Sequence, residues 1–131
     1  MVNPKILIVD DDQGIRTQLK WGLEGYDVIT ADSRLSAIEQ FNIYHPVLVT
    51  LDLGLPPDAE GTAEGFATLK TILQEAPDTK VIIVSGSEDA DNEEKAKSGG
   101  AFEFYPKPID IEELNEIIMR AYNSYNETTK L

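Results

Sequence analysis

Four short stretches of this 131-residue chain end in groups that can do chemistry. The run "ILIV" meets three acids, Asp10, Asp11 and Asp12; "LVTLD" closes on Asp52; "IIVS" closes on Ser85; "FYPKP" holds Lys107. Adjacent carboxylates repel, so an apolar run that stops in three of them is costly unless a cation sits among them. The set suits phosphoryl transfer to a carboxylate. Asp52 would be the nucleophile, forming an acyl phosphate. Its attack requires the negative oxygens of the phosphoryl group to be neutralised. A hard divalent cation such as Mg²⁺ does this, held by one or two carboxylates plus water and phosphate. Asp11 and Asp52 are the expected ligands, Asp10 would hold a metal-bound water, and the backbone carbonyl of Gly54 would complete the shell. Lys107 would place a point charge on another phosphoryl oxygen, and the Ser85 hydroxyl would bond a third.

These groups need a frame that brings them to one place. Short apolar or β-branched runs at Ile6–Val9, Val28–Thr30, Val47–Leu51, Val81–Val84 and Phe102–Tyr105 suit strands buried on both faces. Helical patterns lie between them. Ile15, Leu19 and Leu23 make one apolar face; Ala37, Ile38 and Phe41 a second; Phe66, Leu69, Ile72 and Leu73 a third; Leu114, Ile117, Ile118 and Ala121 the last. Asp110 and Glu113 open that last helix at capping-box spacing, and Gly25 and Gly99–Gly100 are expected to stop two others. Five strands alternating with helices predict a parallel sheet covered on both faces, a flavodoxin-like (βα)5 three-layer sandwich in strand order 2-1-3-4-5. Ligands then gather beyond the carboxyl ends of the strands. Four of the five runs deliver a polar group to that edge. The exception, ending at Thr30 and Ala31, is the outermost strand.

Composition narrows the function classes. A hydrophobic share of 41% supports a real core, and the absence of cysteine excludes disulfides and thiolate metal sites. No run reaches the length of a membrane span, and "MVNPK" lacks the layout of a signal peptide, so the expectation is a soluble cytoplasmic protein. With 24 acids against 11 Lys and Arg, the net charge is −13. Such a surface repels phosphate backbones, which argues against direct nucleic-acid binding.

The stretches "ILIVDDDQGIR", "LVTLDLGLP", "VIIVSGSED" and "GAFEFYPKPIDIEEL", in that order, resemble the receiver domain of bacterial two-component response regulators. The resemblance runs from Lys5 to about Tyr125. It implies that Asp52 is phosphorylated from a phosphohistidine on a cognate sensor histidine kinase. It makes Asp10 and Asp11 the acidic pair, Ser85 the switch hydroxyl, Lys107 the family's lysine and Phe104 the switch aromatic. It also implies a cis Lys107–Pro108 bond, and a domain that is a phosphoacceptor rather than an enzyme. Output, most simply transcriptional, would pass to an output domain or protein partner through the face made by helix 4, strand 5 and helix 5; a homodimer is compatible with this. "LDLGLPPDAEGTAEGFATL" is most similar to receivers of sigma-54-dependent regulators, with a loop several residues longer than the family's usual turn. The domain is expected over residues 1–125, and residues 126–131 as a polar tail or the start of a linker.

Other residues admit plainer roles. Asp12 fits a helix cap better than a metal ligand. His45, before Pro46, reads as a surface loop residue, Trp21 as a half-exposed packing residue, and Tyr122 and Tyr125 as the rim of the core. A rival assignment takes Asp10 and Asp12 as the nucleophile and acid/base of a small Mg²⁺-dependent phosphatase of the haloacid-dehalogenase type. Against it, Gly14 stands where Thr or Val is usual, and no second acidic pair follows the lysine. The segment "GSEDADNEEKAKSGG" should form helix 4 with no aliphatic residue larger than Ala90 and Ala96. Two outcomes follow: a short or mobile helix, or an ordinary one packed through alanines and aliphatic stems and steadied by Glu93–Lys97.

Overall fold

The structure, a computed structural model, describes residues 3–58, 61–86 and 90–129. Five strands, β1 (Lys5–Val9), β2 (Asp27–Ala31), β3 (Leu48–Leu51), β4 (Lys80–Ser85) and β5 (Glu103–Pro106), alternate with five helices. The helices are α1 (Gln13–Gly22), α2 (Arg34–Tyr44), α3 (Ala63–Glu75), α4 (Ala90–Ser98) and α5 (Ile111–Thr129). The strands form one parallel sheet in the order β2-β1-β3-β4-β5, as the alternation predicts.

Period-two alternation splits the strand residues between two cores. Leu7, Val9, Val49, Leu51, Val81 and Ile83 face α2, α3 and α4, where they meet Ala37, Phe41, Leu69, Ile72 and Ala96. Ile6, Ile8, Leu48, Ile82 and Val84 face α1 and α5, where they meet Leu19, Leu23, Leu114, Ile118 and Ala121. Each fully buried Val, Leu, Ile or Phe among them contributes roughly 1.5–3 kcal/mol. Apart from Thr50, the central strands are therefore apolar between their ends.

Local chemistry sets the helix ends. Asp12 caps α1 by accepting from Gly14 N at 2.8 Å and Ile15 N at 3.3 Å. Ser33 and Ser36 form a capping box on α2. Asp110 Oδ1 accepts from the amides of Glu112 and Glu113 at the start of α5. Gly100, at φ 100°, follows α4 in the left-handed region as expected. Gly25 does not stop α1. That helix ends at Gly22, which packs so closely on Ile111 of α5 that a Cβ there would lie 2.8 Å from its side chain. Trp21 is 77% exposed, not half-packed. Tyr122 and Tyr125 are half-buried, at the rim of the core.

Helix α4 is nine residues long and buries Asn92 and Ala96, with Lys97 Nζ 3.3 Å from Glu93. Helix α5 continues through Asn126 to Thr129, where the hydroxyls of Thr128 and Thr129 donate to carbonyls four residues back. No break in the helix falls at residue 125. Among the described residues, no helix is long and apolar enough to cross a membrane.

Candidate functional site

Ladder bonds continue one residue past the ends of β1 and β3. Asp10 N donates to Ala31 O at 3.1 Å, and Asp52 N donates to Val9 O at 2.9 Å. This register sets the Asp10 and Asp52 carboxylates side by side above adjacent strands, although both residues are buried, at 2% and 6% exposure. Arg16, on the first turns of α1, reaches back to the Asp10 carbonyl at 2.8 Å, and Asp12 N donates to Asp10 Oδ1 at 2.9 Å. Asp10 is thereby held at both backbone and side chain. Ser85 closes β4 with its side chain buried, and its carbonyl accepts from Lys107 N at 2.9 Å. The Lys107–Pro108 bond that follows is cis, as is Pro56–Pro57.

Lys107 extends across the strand ends to both acids. Its Nζ lies 2.9 Å from Asp10 Oδ2 and 3.4 Å from Asp52 Oδ2. Asp52 Oδ1 accepts from Gly54 N at 3.2 Å. Asp11 is exposed, yet one carboxylate oxygen each from Asp10, Asp11 and Asp52 lies within 4.8 Å of the others. Burial, and then the charge of Asp10, push the Asp52 carboxyl up to about 6, against the opposing pull of Lys107 and the Gly54 amide. Burial pulls the Lys107 ammonium down. Its hydrogen bond to Asp10 and the charges of Asp10 and Asp52 outweigh this, and its pKa is raised overall.

The donor set fits a hard divalent cation. Three carboxylates converge, one from the solvent side, and a single lysine shared by two of them leaves Asp52 hard to ionise. A second positive centre would lower that cost. The predicted acids, Gly54 and Lys107 therefore meet at one edge, with Ser85 at the end of the neighbouring strand. Phe104 is half-buried on β5 and packs against the α2–α3–α4 core. His45 is exposed and caps α2 in the left-handed region at φ 49°, away from this edge. Asp12 Oδ1 caps α1, and nothing in this arrangement favours the phosphatase assignment.

Some supporting residues were not apparent in the sequence. Arg16 stands inside "DDDQGIR" without a signal that it would bind the Asp10 carbonyl. Gly65 on α3 lies so near β3's exit that a Cβ there would sit 2.4 Å from Leu53 Cα. Arg34 Nε on α2 meets Glu64 Oε2 on α3 at 2.6 Å across thirty positions of sequence. The long β3–α3 connection includes residues 59–60, and the segment before α4 includes residues 87–89, all outside the described residues.

A parallel 2-1-3-4-5 sheet with an acidic pair, a carboxylate and a lysine at its carboxyl edge defines a phosphoacceptor class of α/β domain. The family model of the response regulator receiver domain matches residues 6–119, and the chain belongs to that family. Among curated relatives, it is 33% identical over 92% of its length to sporulation initiation phosphotransferase F of Bacillus subtilis, covering 94% of that protein. It is 34% identical over 92% of its length to the DNA-binding transcriptional regulator NtrC of Klebsiella pneumoniae. There it spans only 25% of the relative, as it does in several other curated relatives. Among solved structures, a CheY-like response regulator receiver domain protein from Methanospirillum hungatei superposes with a TM-score of 0.89. That match has 27% identity and covers 97% of this chain and 99% of the other. The chain is thus a receiver domain of two-component response regulators.

Proposed function

We propose that Asp52 accepts a phosphoryl group from a phosphohistidine on a sensor histidine kinase. An Asp52 oxygen forms the new P–O bond as the donor's P–N bond breaks, its electron pair leaving on the imidazole. The observation that carries this reading is the sharing of Lys107 between Asp10 and Asp52, at 2.9 and 3.4 Å, with Asp11 beside them. Asp10, Asp11, Asp52 and the Gly54 carbonyl would hold Mg²⁺, which supplies charge neutralisation for the incoming oxygens. Lys107 holds a phosphoryl oxygen by charge, and Ser85 offers a hydroxyl to another. Phe104 lies on the route from Ser85 and Lys107 to the α4–β5–α5 face, where an output domain or partner would be engaged. Residues 1–125 form the receiver unit in this reading. The transcriptional relatives support a transcriptional output.

Intact-mass analysis with Mg²⁺ and a small phosphodonor tests this. One phosphoryl adduct is expected on the wild type and none on Asp52→Asn. Steady phosphatase turnover that depends on Asp10 would overturn the reading.

A further inference from the structure

The segment after Asp52 must present the Gly54 carbonyl to the same ion that Asp52 holds, so whatever fixes its far end matters to the site. That end is the first turn of α3, and it has no side-chain cap: Thr62 makes no capping hydrogen bond. Two other contacts seat it. Gly65 packs directly on the backbone of Leu53, with an added Cβ falling 2.4 Å from Leu53 Cα and 2.7 Å from its carbonyl oxygen. Leu53 is the residue between Asp52 and Gly54. Next to Gly65, Glu64 binds Arg34 at 2.6 Å, and its side chain is only 18% exposed. Arg34 in turn stands on a fixed base. It is the first residue of α2, where Ser36 Oγ accepts from the amides of Asp32 and Ser33 and donates to Asp32.

We infer that Arg34 and Glu64 are positioning residues for the cation site: their ion pair ties the start of α3 to the capped start of α2 and so holds Leu53 and Gly54 in register with Asp52. The inference rests on the Mg²⁺ reading given above. Arg34 is about half exposed to solvent, which keeps the pair's contribution to global stability small, so the effect should appear more in the site than in the fold. The contact is also local. It acts where α3 packs on the backbone of the residue that follows Asp52.

The test compares wild type, Arg34→Ala, Glu64→Ala and the charge swap Arg34→Glu/Glu64→Arg. Mg²⁺ affinity is read by calorimetry, the Gly54 amide by NMR, and stability by urea titration. Each single variant should bind Mg²⁺ about two- to fivefold more weakly, with a shifted Gly54 amide and a nearly unchanged urea midpoint. The swap should recover most of the affinity, as expected where the two side chains act through a direct ion pair. Wild-type affinity in both single variants, or a loss that the swap does not reduce, overturns the inference. A wild type that binds no Mg²⁺ overturns the metal reading itself, and this inference with it.

Discussion

Lys107 lies closer to Asp10 than to Asp52, 2.9 Å against 3.4 Å. A lysine at a phosphoacceptor site is usually discussed for what it does to the phosphoryl group; here its shorter contact is with a proposed metal-site acid. It therefore competes with any cation for Asp10. Lys107→Ala should bind Mg²⁺ more tightly than wild type, by about tenfold for the loss of one partly buried charge. It should still accept a phosphoryl group from a small donor, but more slowly. The variant should also fail to transmit the change to β5 and α5, as should Ser85→Ala. Calorimetry, adduct formation followed by mass, and amide shifts of residues 103–121 check the three parts. Weaker Mg²⁺ binding in Lys107→Ala would refute the competition.

Asp52 is expected to impose a pH signature on stability. Burial and Asp10 raise its folded-state pKa to about 6 from 3.8. The folded protein then holds this proton more tightly than the unfolded chain does. Its contribution is full below about pH 4 and is lost as the pH rises through 6. Without Mg²⁺, Asp52→Asn should be more stable than wild type at pH 7–8 by on the order of 2 kcal/mol, with the gap closing below pH 4. Urea titrations across that range measure it. A gap independent of pH would show that the charge is not its source.

Mg²⁺ should raise thermal stability through binding linkage, by about 2.7 kcal/mol at a hundredfold excess over its dissociation constant. Asp11→Ala should abolish most of this response with the fold intact, because Asp11 is exposed. Affinity should also fall by about tenfold per unit as the pH drops below 6, since Asp52 must lose its proton to bind. A melting temperature indifferent to Mg²⁺ would remove the metal from the mechanism.

Gly65→Ala places a methyl group against backbone that has no rotamer with which to yield. Destabilisation of about 1–3 kcal/mol is expected, read from the urea midpoint. A neutral result would mean that α3 sits further from Leu53 than the structure places it.

Helix α4 buries Asn92 and Ala96, with no larger aliphatic side chain among its described residues. A methyl-sized group contributes roughly 0.8 kcal/mol where Leu or Ile contributes 1.5–3. Amides of residues 91–98 should therefore exchange faster than those of residues 114–121 in α5, which bury Leu114, Ile118 and Ala121. Equal protection would show that alanine packing suffices.

The elements legible in the sequence were those governed by local pattern. Five apolar or β-branched runs became five strands, and their alternation with helices implied a parallel sheet, for which the order 2-1-3-4-5 was the expectation that the structure matches. The site was legible for the same reason: parallel strands put all their carboxyl ends on one edge, so Asp10, Asp52, Ser85 and Lys107 had to converge. What escaped depends on contacts distant in sequence. Gly25 looked like the stop of α1, but Leu23 is drawn into the core and Gly22 onto Ile111, which ends the helix sooner. No periodicity could pair Arg34 with Glu64.

The two cores differ in how much of the chain each must gather. The one beneath α2, α3 and α4 draws its helical contacts from positions 37–96, whereas the one beneath α1 and α5 joins Leu19 to Ala121. Closing the longer loop costs more entropy before any contact repays it. During synthesis, the second layer cannot form until α5 has left the ribosome. Until then only α1 can cover the sheet face that holds Ile8, Leu48 and Val84, and the nascent domain is at its most prone to aggregate.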